Sequence, residues 1–176
     1  IIFHAGLSWE PNTPSRFAHP LAFEEVAIRH PGLRICLAHF AWPWVREMVM
    51  LMIKYPTVYT DTALLYVDSP EEQMMELFTK DMGPMWFERC FPRQVMFGSN
   101  GPRFRAFKLK RALDKVPMRE FAREDLYWKN ALRFLSGGQA EHARLVHDGF
   151  GDRPHRSQIC LRRREEAARL VEVGQD

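Results

Sequence analysis

The chain has 176 residues, 46% of them hydrophobic and 27% charged, which suits one globular domain with a sizeable core. No stretch approaches the roughly 20 apolar residues that a membrane-spanning helix needs, the most apolar run (residues 45–53) being interrupted by Arg46 and Glu47. The net charge of +3 is mild, and three cysteines (Cys36, Cys90, Cys160) without metal-type spacing argue against a disulfide framework and for reduced thiols in the cytoplasm.

In chain order, a strand-then-helix rhythm repeats four times. Residues 1–5 form an apolar run ending at Gly6 and read as a buried strand. Because a chain seldom starts inside its own core, this opening also predicts that further sequence precedes it. Residues 7–16 are a loop marked by Pro11, Asn12 and Pro14. Residues 17–29 carry apolar positions at helical spacing and stop at Pro31-Gly32. Residues 33–38 are the second strand, 44–54 the second helix, and the β-branched run 57–61 the third strand. Ser69-Pro70-Glu71-Glu72 starts a third helix running to about residue 79, with a serine cap and proline in the first turn. Residues 93–97 are the fourth strand, closed by Gly98. Helices over 107–115 and 118–135 follow, and Gly137-Gly138 end the second.

This alternation implies parallel strands joined by right-handed crossovers: four βα units, equal to half of an eightfold barrel or to a small open sheet. From residue 139 seven basic residues face seven acidic ones and large apolar residues thin out. The predicted organisation is a barrel-type domain over 1–138 and a polar extension over 139–176, partly helical or disordered.

In parallel α/β barrels the chemistry gathers where strands end and loops begin. The strand ends here are Phe3-His4-Ala5-Gly6, Leu37-Ala38-His39-Phe40, Tyr59-Thr60-Asp61-Thr62 and Phe97-Gly98-Ser99-Asn100-Gly101-Pro102. Two imidazoles, a carboxylate and an amide thus share one rim, the donor types of a zinc-like site and of general acid–base work. Each has a structural reading beside the functional one. A strand-end histidine can be a hydrogen-bonded core residue, Asp61 can cap the next turn, and Asn100 before Gly101-Pro102 is turn chemistry. Trp9, in the loop after His4, is a candidate pocket wall, and Arg103, just after the fourth strand, a candidate partner for a substrate carboxylate.

Five motifs run in order: His4-Ala-Gly; Pro31-Gly-Leu-Arg-Ile-Cys-Leu-Ala-His39 with Trp42-Pro-Trp; Tyr55-Pro-Thr-Val-Tyr-Thr-Asp61; Met96-Phe-Gly-Ser-Asn100-Gly-Pro; and Trp128-Lys-Asn-Ala-Leu-Arg-Phe-Leu135. In this order they resemble the C-terminal half of the amidohydrolase-related family (amidohydrolase 2), which includes aminocarboxymuconate-semialdehyde decarboxylase-like enzymes. The resemblance covers about residues 1–136. It implies the C-terminal half of a TIM barrel with a divalent metal, usually zinc, at the strand ends. By resemblance His4 stands at a metal-ligand position, His39 at the histidine that orients or deprotonates metal-bound water, and Asn100 where the family has an aspartate. The family's His-x-His pair of the first strand is absent. An amide at position 100 neither accepts a proton nor adds negative charge, so metal binding by this chain alone is expected to be weak or absent.

Other features have plainer readings. The stretch 103–111 mixes bases with two aromatics, a pattern compatible with nucleic acid but better read as a solvated helix face. Trp42, Trp44, Met48, Met50 and Met52 read as packing residues. Two functions follow. One is a metal-dependent hydrolase or lyase (decarboxylase) acting on a small carboxylated substrate, given a complete barrel. The other is a catalytically inactive relative serving as a scaffold. In both, the open edges of a half barrel favour pairing with a second copy.

Overall fold

The computed structural model describes residues 1–63, 69–83 and 85–137; the expected extension over 139–176 lies outside them. Four short strands, β1 (Ile2–Phe3), β2 (Ile35–Leu37), β3 (Val58–Asp61) and β4 (Val95–Met96), form one parallel sheet in the order of the chain. The period-two alternation of side chains assigns the two faces. Ile35, Leu37, Val58 and Val95 enter the main core, whereas Cys36, Tyr59 and Met96 gather on the other face with Phe134.

Helices α1 (Glu24–Arg29), α2 (Val45–Lys54), α3 (Pro70–Glu76), α4 (Trp86–Cys90), α5 (Ala106–Lys115), α6 (Glu120–Glu124) and α7 (Asn130–Ser136) supply the rest. In α5, Leu109, Ala112 and Leu113 recur at helical spacing on the buried side. In α2, Met48, Val49, Leu51 and Met52 are buried while Met50 is 39% exposed, so the methionine series is not uniformly core as expected. Ser69 caps α3 as expected, its hydroxyl accepting from the Glu72 amide at 3.3 Å. Two buried amides tie sheet to helices. Gln94 Nε2 donates to the carbonyls of Met52, Tyr55 and Val58 (2.7–2.9 Å). Asn130 Nδ2 donates to Pro92 and Val95 (2.8 and 2.7 Å).

Several elements differ from expectation. The helix expected over 17–29 is two 3-10 turns, Ser15–Phe17 and Pro20–Phe23, followed by α1. Pro20 has no amide hydrogen and disfavours helical backbone at the residue before it, and His19 Nδ1 instead accepts from the Leu21 amide at 3.3 Å. The first strand is not buried: Ile1 and Ile2 are 60% and 63% exposed along the free edge of the sheet. The helix expected over 118–135 is α6 and α7 joined by a wider π turn, Asp125–Lys129. Helix α4 was not anticipated.

Candidate active site

His4, His39 and Asp61 sit at or just beyond the ends of strands, and Trp9, Asn100 and Arg103 lie in the loops that follow β1 and β4. Parallel pairing of β1 with β2 (Phe3 opposite Leu37) carries His4 and His39 to the same rim, where their rings lie 5.0 Å apart, edge to face at 60°. Partial desolvation, and secondarily the neighbouring His39, hold the pKa of the exposed His4 below the ordinary histidine value, against a raising hydrogen bond at Leu7.

The loop after β2 is unusual. His39, Phe40 and Ala41 all have positive φ (64°, 51° and 49°). Left-handed backbone costs a non-glycine residue about 1–2 kcal/mol, so three in succession persist only where their surroundings hold them. Two sets of contacts do so. Asp61 Oδ1 accepts from the His39 amide at 2.9 Å and the Ala63 amide at 3.0 Å. On the opposite side, Gly6 packs directly on the Trp42 backbone, and the Leu7 amide donates to the Trp42 carbonyl at 2.8 Å. The His39 ring is fixed as well, its Nδ1 lying 2.9 Å from the Ala63 carbonyl.

Asp61 is half-buried, and desolvation raises its carboxyl pKa, in opposition to the two amide hydrogen bonds and the nearby His39, which lower it. A carboxyl raised in the folded state contributes stability in acid that is lost as pH climbs through the raised value. Asp61→Asn, which keeps an acceptor oxygen without the charge, should therefore melt higher than wild type in neutral buffer. The advantage should fade on acidification. Thermal melts of both forms across pH check this; a lower melting temperature at neutral pH would show that the charge stabilises the loop.

The loop after β4 is tied to the same place. Gly98 and Thr62 exchange hydrogen bonds at 3.1 Å, and a Cβ on Gly98 would come within 3.3 Å of Asp61. Asn100 has φ 54°, and its carbonyl accepts from the Arg103 amide at 3.0 Å, the turn geometry allowed for by the sequence. The Arg103 guanidinium lies 5.9 Å from the centre of the Trp9 ring, so the loops after β1 and β4 meet across the rim. A small cleft beside His39 and Asp61 is lined also by Trp42, Ala63 and Gln73. Gln73 was missed in the sequence because nothing local says which face of α3 meets the rim; its place four residues after the Ser69 cap is the one signal available.

Among the described residues no three His, Cys, Asp or Glu side chains converge on a point that could hold a metal ion. His4 and His39 are two donors, and Asp61 Oδ1 is occupied by amides. The donor set present does not fit a metal centre by itself. Among the described residues, too, no helix is long and apolar enough to cross a membrane.

The family model for amidohydrolases matches residues 1–137. An uncharacterized TIM-barrel protein from Bordetella bronchiseptica has a similar structure, with a TM-score of 0.58 at 18% identity over 77% of this chain. The match spans 44% of that protein's length, so the chain corresponds to part of such a barrel. No curated protein matches the sequence.

Proposed function

The chain belongs to the amidohydrolase family, and on that premise we propose that it supplies the histidine side of an active site for hydrolysis or decarboxylation of a small, carboxylated substrate. The observation that carries this reading is the His4–His39 pair, from the ends of adjacent parallel strands and 5.0 Å apart, on the rim where barrel enzymes do their chemistry.

The Ala63 carbonyl can only accept, so the Nδ1 of His39 beside it carries the ring proton. The Nε2 lone pair is then the basic atom. Through it, His39 takes a proton from an attacking water, or returns one to the carbanion left by decarboxylation. Arg103, backed by Trp9, pairs with the substrate carboxylate, for which a guanidinium fork is well suited. Asn100 orients substrate or water with its amide. A divalent cation of the kind the family uses, zinc in this reading, would take His4 as one ligand and would act as a Lewis acid there; the described residues do not complete its shell. The protein works in the cytoplasm, as its cysteine usage suggests, and the exposed edge at Ile1 and Ile2 supports pairing with a second copy.

The test is turnover by the full-length protein, supplied with zinc, on a panel of small amides, lactones and carboxylated enols. At least one class should react; inertness across the panel with metal bound would count against the reading. Titration with zinc should give an affinity no tighter than roughly micromolar, because catalytic zinc takes three protein ligands. A stoichiometric nanomolar site abolished by His4→Ala would show that this chain completes the shell by itself.

A further inference from the structure

We propose that Asp61 is a positioning residue that sets both the backbone and the ring tautomer of His39, an inference that rests on the reading of His39 as the acid–base group. Three hydrogen bonds close a loop through one carboxylate oxygen. Asp61 Oδ1 accepts from the His39 amide (2.9 Å) and from the Ala63 amide (3.0 Å), and the carbonyl of that same Ala63 faces His39 Nδ1 at 2.9 Å. Asp61 therefore holds His39 from both ends. It fixes the left-handed backbone from which the side chain leaves, and it anchors the residue whose carbonyl receives the ring.

The consequence is chemical. A carbonyl oxygen has no proton to give, so the contact selects the Nδ1–H tautomer and leaves the lone pair on Nε2. A neutral histidine freed of this partner exchanges between both tautomers and presents a lone pair on Nε2 only part of the time. The three consecutive positive φ values at His39, Phe40 and Ala41 give the loop a standing tendency to relax. Without the carboxylate, the ring loses its alignment with Ala63. Asp61 is thereby distinguished from a mere turn cap, since a cap of the Ala63 amide alone would leave the His39 amide unengaged. The second oxygen, Oδ2, lies 4.0 Å from the Cys36 thiol, a weak donor that does not compete for Oδ1.

The experiment reads the histidine itself. With 15N-labelled histidine in the full-length protein, long-range proton–nitrogen correlation in alkaline buffer distinguishes protonated from bare ring nitrogens, and the His39→Gln spectrum assigns the signals. Wild type should show a protonated Nδ1 and a bare Nε2. Asp61→Ala should pull the two nitrogen shifts together as the tautomers mix, while Asp61→Asn, which keeps the acceptor oxygen, should retain the wild-type pattern. Should the alanine variant fail to fold, Asp61→Glu, whose oxygen is displaced by one methylene, should show the same mixing. A bare Nδ1 in wild type, or an unchanged pattern in folded Asp61→Ala or Asp61→Glu, would overturn the proposal. The underlying reading fails differently: there His39→Gln would leave turnover unchanged whatever the tautomer.

Discussion

Gly6→Ala should destabilise the fold by roughly 2–5 kcal/mol, the sum of about 1–2 for a positive-φ alanine and about 1–3 for overpacking. Gly6 has φ 100°, and an added Cβ would stand 2.4 Å from the Trp42 carbonyl oxygen and about 3 Å from two further backbone atoms. Backbone cannot swing aside as the end of a side chain can, so the loop after β1 must lift off the loop after β2. Those loops carry His4 and His39; the same contact is secured by the hydrogen bond from Leu7 to Trp42 (2.8 Å), while one from Gly6 to Ala18 (2.8 Å) braces the loop after β1 on itself. The expected result is a melting temperature lower by roughly 4–20 °C, with His4 and His39 no longer held in contact. Gly32→Ala is the control, since nothing lies within 4 Å of its added Cβ, and it should stay within about 0.5 kcal/mol of wild type. A Gly6→Ala protein that melts like wild type would mean that the two loops do not meet as closely as described.

Gly6 also shows where a sequence stops being informative. That a glycine ends the first strand is visible at once; that it exists to let one backbone touch another 36 residues away is not. The strands themselves were legible because their β-branched and apolar runs are short and bounded by breakers, and their parallel order followed from the helices between them. Strand ends then carried His4 and His39 to one rim by topology alone, without any knowledge of angles. Burial was less readable. Ile1 and Ile2 have the composition of core residues yet line the free edge of the sheet, because exposure depends on what lies alongside and not on the run itself. The break at Pro20 was readable in principle, but the apolar spacing over 17–29 outweighed it. Asp61 is the sharpest case. Residue type and strand-end position marked it as functional or capping, and the structure shows a single oxygen serving the amides of His39 and Ala63. That pairing depends on a distance of 22 residues along the chain, which no local pattern encodes.

Asn100 is where sequence and site make the strongest joint demand. It occupies the strand-end position at which the family resemblance implies an aspartate, and its left-handed backbone (φ 54°) is one that asparagine and aspartate both tolerate. Asn100→Asp is close to isosteric, so stability should barely register the change. The chemistry should register it strongly. An aspartate adds a charged oxygen donor and a group able to accept a proton from water, and acid–base assistance of this kind is worth about 10²–10⁴-fold in rate. In the full-length protein supplied with zinc, the aspartate form should bind the metal more tightly and hydrolyse its substrate faster by up to that factor. Both forms should be compared on the same panel of amides, lactones and carboxylated enols at matched metal occupancy. A slower aspartate form would show that the amide is itself a working contact, with its N–H groups donated to the substrate. Unchanged metal affinity would show that position 100 does not face the ion, and the role inferred for it from the resemblance would fall.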